Sequence, residues 1–494
     1  MLFRSLGLMT IVLLAGSLTD LRMLHAADWP TYQHDIRRSG FTAEHLPASR
    51  LVNVWTWRSH HPPQPAWPGP AKWDAYAGVR NLPSMRAYDL VFHPVAVGNA
   101  VFFGSSVDDS LYCLDASTGR VRWKFTCDGP IRIAPSVVDD KLYFGSDDGH
   151  AYCLRTDNGE LVWKFAPADT DQRILNDGRL IPLHPCRTGV LVDQGIAYFG
   201  CALLPWKDAY LCAVNADTGK LDADACYVKK LHGLTLEGPP AATRELLVLP
   251  QGRVAPRTFR RSDGQDLGPL QKSSGGSLVV VALDSKVFHG PAANSRRGGI
   301  NSSNPQTREM IASHGRGNAM AVAGQLSFML TDDHLIAADL VKKTSLWTVP
   351  SQESHALIVA DKTVFLGGDG SVAAINAETG EEIWRHAVDG RAHGLAVANG
   401  KLLVSTDIGA IYAFGVGSTT TAPSTNAPTP SPTEPLAAIE EIDDNDLVGR
   451  WVFQRPSIRG KTLFAQNGPL NGTFVAQPRM ERVANYEGLT LDGV

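Results

Sequence analysis

The sequence predicts an all-β fold, an eight-bladed β-propeller of four-stranded blades, and three observations predict it. Two nearly identical phrases, YCLDASTGRVRWKF from Tyr112 and YCLRTDNGELVWKF from Tyr152, stand forty residues apart. A second phrase recurs as eight first strands between His93 and Thr406: an alternating apolar strand, a tight turn, and a strand ending in Gly or a small residue. The turns are rich in Asp, Asn and Gly, which bond the local backbone or take positive φ. Short strands at roughly 40-residue spacing, none able to bury both faces alone, specify radially stacked blades.

The first phrase continues along the chain. AAINAETGEEIW from Ala373 repeats it in full, AADLVKKTSLW from Ala337 keeps Asp and Trp, CAVNADTGKLDA from Cys212 keeps only the turn, and FRRSDGQDLG from Phe259 keeps the turn glycine. Trp123, Trp163, Trp347 and Trp384 return on the strand after the turn and are expected to dock between blades. The opening stretch WPTYQHDIRRSGFT, followed by LVNVWTW, is expected to supply an outer strand that completes the last blade and removes an exposed sheet edge.

The spacing A-x-D/N-x-x-T-G-x-x-x-W resembles the tryptophan-docking motif of the pyrroloquinoline-quinone-like propeller repeats, found in quinoprotein alcohol dehydrogenases and in the outer-membrane assembly propeller of the BamB type. The resemblance covers about Asp28 to Val416, and DWPTYQHDIRRSG is similar to the start of exported bacterial, planctomycete-type members. It implies the fold. It does not choose an activity, because such propellers include enzymes and pure binding scaffolds.

The rest of the chain reads as flanking segments. Arg4, an apolar run from Leu6 to Leu18 and the small residues of LHAADW mark residues 1–27 as an export signal with cleavage near Ala26 or Ala27, and the propeller occupies 28–416. Residues 417–446 are a Ser/Thr/Pro-rich and then acidic linker. Residues 447–494 resemble the start of a laminin-G or concanavalin-like jelly roll, too short to bury a core alone. With 46 basic and 50 acidic residues the net charge is −4, which gives no reason to expect a nucleic-acid partner. The expectation is a monomeric, periplasmic or extracellular protein without a transmembrane segment. Among seven cysteines, Cys186 and Cys201 flank a hairpin read as turning at Asp193-Gln194, and a disulfide between them is expected.

Catalytic signatures are missing: there is no HExxH, no GxSxG and no zinc spacing. The quinoprotein resemblance implies pyrroloquinoline quinone with calcium, oxidising alcohols or sugars. No adjacent cysteine pair stands in this sequence, however, and no calcium set maps residue by residue, so the expectation is no cofactor, no metal and no catalytic residue. Loop lengths are more informative. Turns on one propeller face are uniformly tight, while Arg58–Leu90, Ala166–Cys186 and Ala202–Asp208 are long insertions on the other, the usual sign of a functional face. The first carries Trp67 and Trp73, as a flap over the channel or as ligand contacts. Aligning the first strands brings His93, His355, His393 and Asn318 to the channel mouth, with Arg132, Arg187, Arg316 and Arg391 beside them. That set suits ordered water, an anionic or sugar-like ligand, or a metal. If the mouth is a site, the four arginines stand as fixed positive charges that favour an anionic ligand, which should bind more tightly as the histidines gain charge near pH 6.5. A protein or carbohydrate partner is expected on this elaborated face.

Overall fold

The computed structural model describes residues 27–67, 88–168, 172–176, 179–252, 254–272, 275–290 and 299–417. Nearly all of the export-signal segment, the linker beyond Gly417, the jelly-roll-like segment and Trp73 lie outside the described residues. Among these there is one turn of 3-10 helix, Ala48–Arg50, and otherwise strand. The strands form six four-stranded antiparallel sheets, a two-stranded hairpin (Arg173–Asn176 with Arg179–Pro182) and one eight-stranded sheet. The large sheet is two units sharing a strand. Glu382–Ala398 pairs through its first part with Asp369–Asn376 and through its last part with Lys401–Thr406. Leu51–Arg58 then pairs antiparallel with Ala410–Val416, so an N-terminal strand completes the sheet made by the C-terminal repeats.

Each unit follows from its turn chemistry. The Oδ1 atoms of Asp115, Asn215 and Asn376 each accept the amides two and three residues on, at 2.8–3.3 Å. Four residues on, Gly119, Gly219 and Gly380 take φ of 70, 67 and 78°. Arg308, four residues after Asn304, and Lys343, four after Asp339, hold the same left-handed position at φ 65 and 57° in turns without the glycine. Glycine serves a second purpose. A Cβ on Gly119, Gly159 or Gly219 would come within 2.6–2.7 Å of the Trp55, Trp123 or Trp163 ring, so the bare backbone is the seat of the preceding sheet's indole.

The indole N–H completes the joint. Trp55 donates to the Ala116 carbonyl, Trp123 to Thr156, Trp163 to Ala216, Trp347 to Ala377 and Trp384 to Leu51, all at 2.8–3.1 Å. Trp384 uses Leu51 because the N-terminal strand stands where other units carry the turn. Tyr227 fills the place where the repeat lacks a Trp: its ring lies where a Cβ of Gly264 would be, 2.4 Å away. Between these joints the second strands bury Phe102, Phe103, Phe144, Phe199, Phe288, Phe328 and Phe365, each at most 1% exposed.

The opening stretch is not an outer strand. Residues 27–44 run around the inner edges of the sheets. The innermost strand of each unit faces the channel with unpaired amides, and a buried amide needs an acceptor. The backbone carbonyls of Pro30, Ile36, Arg37, Ser39, Gly40 and Thr42 accept from Val137, Ala242, Val281, Val322, Val359 and Asp361 at 2.7–2.8 Å. Trp29 exchanges both backbone hydrogen bonds with Ala96. Arg38, 3% exposed, pins the segment from within, donating to Pro240 O, Thr31 Oγ1, Tyr32 O and Asp35 O. The carbonyls do the closing, so the inner edges are satisfied by a plug. Leu51–Arg58 alone supplies the outer strand.

The hairpin that Cys186 and Cys201 flank turns one residue later than expected. Gln194 and Gly195 form the hairpin loop with φ of 52 and 76°, and Asp193 pairs with Ile196. Carrying that register outward sets Thr188, not Cys186, opposite Cys201. Cys186 and Cys201 are buried free thiols in this structure. Burial, with Cys186 as hydrogen-bonding neighbour, pushes the Cys201 thiol well above its ordinary range.

Candidate functional site

The long-loop end of the channel is built on a buried ionic network. Asp147, 1% exposed, accepts from Arg187 at both oxygens (2.8 Å each) and from Arg132 Nε at 2.7 Å. Arg132 also donates to Asp89 Oδ2 at 2.8 Å and to the Gln64 carbonyl at 2.7 Å. Glu237 Oε1 lies 3.6 Å from Arg187 and accepts the Trp67 indole N–H at 2.8 Å, while the Arg187 guanidinium sits 5.8 Å from the Trp67 ring centre. Burial raises the Asp89 carboxyl. The two arginines outweigh burial at Asp147 and hold its carboxyl below the usual range. Trp67 is therefore tied down as part of the loop's anchor, and Arg132 and Arg187 spend their charge on Asp147.

The other arginines divide. Arg391 donates Nε to Asp407 Oδ2 at 2.7 Å and stays exposed. Arg316 is exposed in the bend before the strand Ala319–Ala323, and Asn318 donates to Asp332 Oδ1 and the Ser354 carbonyl at 2.9 and 3.0 Å, joining two neighbouring units. A ring of unpaired cations awaiting an anion does not form from Arg132, Arg187 and Arg391.

The three histidines do come together. The His355 and His393 rings are 4.5 Å apart and 30° from parallel, and His355 Nε2 lies 3.0 Å from Asp369 Oδ1. His93 and His393 line one small cavity with Trp29 and Tyr32 of the plug. His93 Nε2 donates to the Tyr88 carbonyl at 3.0 Å, which leaves Nδ1 the unprotonated nitrogen in the neutral ring. Burial lowers His93 to about 4, and burial with neighbouring His355 lowers His393 to about 3. Neither gains charge near pH 6.5, so these two rings contribute nothing to a tightening of anion binding in that range.

That depression has a stability consequence. Both rings stay neutral in the fold, whereas in the unfolded chain they protonate near 6.5. The stabilisation is fully present above pH 6.5 and is lost as pH falls toward 4 and then 3. Replacing His93 and His393 together with Gln is expected to flatten the decline in unfolding free energy between pH 6.5 and 4, by about 1–2 kcal/mol per ring at pH 5. Denaturant midpoints across that range read the effect; parallel profiles for the two proteins would contradict it.

The family model described as outer membrane protein assembly factor BamB matches residues 56–230 and 331–420, more than half of the chain. The chain belongs to this family. It is a propeller of pyrroloquinoline-quinone-like repeats. No curated protein sequence is similar enough to the chain to match. Among solved structures, a europium-containing methanol dehydrogenase superposes with a TM-score of 0.56 at 11% identity, covering 78% of this chain and 98% of that one. Quinohemoprotein alcohol dehydrogenase ADHIIG from Pseudomonas putida HK5 gives 0.54 at 13% identity over 80% and 81%. The computationally designed Ika8 protein gives 0.52 at 14% over 67% and 97%. At these identities the likeness shows the fold alone.

The cofactor that gives the repeats their name can be tested against this site. Pyrroloquinoline quinone is a planar tricyclic tricarboxylate, and its calcium needs six to eight oxygen ligands. The cavity at the histidines is about 10 Å³, the scale of one water. Among the described residues no three His, Cys, Asp or Glu side chains are placed to hold a metal ion. Of the four arginines at the mouth, Arg132 and Arg187 are bound to Asp147 and Arg391 to Asp407. The described residues around this cavity do not fit the group. The sequence reading missed Asp147, Asp89, Glu237 and the plug residues Trp29 and Tyr32; only the SDDGH run after the Phe144 strand, a carboxylate pair at a strand end, signalled one of them.

Proposed function

We propose that this is an exported, eight-bladed propeller that acts as a non-catalytic binding scaffold at the cell envelope, meeting a protein or carbohydrate partner on its long-loop face. The observation that carries this reading is the N-terminal segment, whose carbonyls take up the inner-strand amides around the channel. The plug lines the inner edges of the sheets, the Asp147 network and Trp67 stand at the long-loop end, and the cavity that His93 and His393 share with the plug has room for about one water. A ligand pocket takes some hundreds of cubic ångströms, far more than this cavity offers, which favours the outer surface of the elaborated loops. The cross-strand pair Leu175 and Leu180 and the indole of Trp206 are exposed there at 45%, 41% and 73%.

The alternative reading is a quinoprotein dehydrogenase oxidising alcohols or sugars. Purified protein mixed with pyrroloquinoline quinone and calcium separates the two. The scaffold reading expects no saturable change in quinone absorbance and no dye reduction with alcohols or aldoses. Saturable binding with turnover establishes the alternative.

A further inference from the structure

Glu44 is a buried carboxylate without a cation beside it among the described residues. It is 4% exposed. Its Oε1 accepts the Gly400 amide at 2.5 Å, and its Oε2 accepts the amides of Asn399 at 3.2 Å and Ala27 at 3.1 Å. Burial raises this carboxyl above its ordinary range against the pull of those amides, with Asp28 adding to the rise. A carboxylate so placed bears a desolvation cost that a cation at hydrogen-bond distance would offset.

The Ala27 nitrogen is at that distance, and it is a backbone atom whose charge depends on the bond before it. Small residues at Ala26 and Ala27 follow the apolar run, the composition of an export-signal cleavage junction. We propose that hydrolysis of the Ala26–Ala27 bond creates an α-ammonium on Ala27 that pairs with Glu44 and locks the plug in the channel. The proposal rests on the exported reading above. A peptidase adds water across the bond: the C–N bond breaks, Ala26 keeps the new carboxylate, and the Ala27 nitrogen departs as an amine that takes up a proton.

The position of the pair explains what it would do. Ala27 begins the plug and Glu44 ends it, and both are bonded to the same inner turn, since Asn399 N also donates to the Ala27 carbonyl at 3.2 Å. One ion pair therefore clasps both ends of the segment to the strand pair Glu382–Ala398 and Lys401–Thr406. Cleavage one residue later would discard the nitrogen and this carbonyl together. The junction and the lock are thus one site.

The test compares the full chain beginning at Ala27 with the same chain carrying Gly-Ser-Gly-Ser ahead of Ala27, each with Glu44 and with Glu44→Gln. The free Ala27 terminus is expected to raise Tm by about 2–4 °C over the extended form when Glu44 is present, and by less than about 1 °C with Gln. An equal difference in both backgrounds, or none in the first, overturns the lock. If the Gln variant does not fold, titration of the ¹⁵N-labelled Ala27 amine decides. An α-amino pKa above the usual range of about 7.7–8.0 supports the pair, and one at or below it refutes it. N-terminal sequencing of the exported protein tests the processing step separately: a terminus other than Ala27 removes the cleavage claim, while the prepared forms still judge the ion pair.

Discussion

Asp147→Asn is expected to destabilise the protein by about 3–5 kcal/mol, the cost of leaving a buried charge without its partner. The substitution keeps shape and removes charge. Asp147 is the shared acceptor of Arg132 and Arg187, so one change strips the charge partner common to both guanidinium groups. Arg187 is fully buried, so water cannot take over. A surface pair sets the scale: Arg37 with Asp284, both about half exposed, holds a 2.9 Å contact, and Arg37→Ala is expected to cost less than about 1 kcal/mol. Denaturant unfolding of the two variants compares them directly. A loss below about 1 kcal/mol for Asp147→Asn would mean that the network is solvated and that the long-loop end of the channel is open.

Trp163→Ala is expected to cost about 3–5 kcal/mol. The indole is 7% exposed, abuts Gly219 and donates to Ala216 O at 2.8 Å. Truncation removes the packing, opens a cavity between two units and leaves that carbonyl without its indole donor. Trp206, 73% exposed, is the control; its replacement by Ala should change stability by no more than about 0.5 kcal/mol. Equal effects from the two would show that the indoles decorate the units and do not join them.

These joints were legible in the sequence because both halves of each one leave a side-chain signature at fixed spacing. Gly119 and Trp123 sit in one phrase, and the phrase recurs. Trp55 escaped because no D-x-x-T-G turn precedes it, although it docks on Ala116 like the others, and Tyr227 escaped because a smaller ring does the same job. The plug was illegible for a different reason. Its contacts to the sheets are made by carbonyls of Pro30, Ile36, Arg37, Ser39, Gly40 and Thr42, and a carbonyl is the same on every residue. Strand alignment did bring His93, His355 and His393 to one place. Their protonation was not readable, because the burial that lowers His93 and His393 comes from residues distant in sequence, Tyr32 of the plug among them. Likewise Arg132 and Arg187 stand at the channel mouth, and only the fold reveals that Asp147 from a neighbouring strand end has taken their charge.

The central claim is that the channel is closed by the protein's own N-terminal segment, which leaves the outer loop face for partners. Native-state hydrogen exchange at Val137, Ala242, Val281, Val322 and Val359 tests it most directly, because these inner-strand amides have plug carbonyls as acceptors. They should exchange as slowly as the core strand amides, opening only with global or near-global unfolding. Exchange on the timescale of exposed loops at these five positions would contradict the account and return the channel to the list of ligand sites.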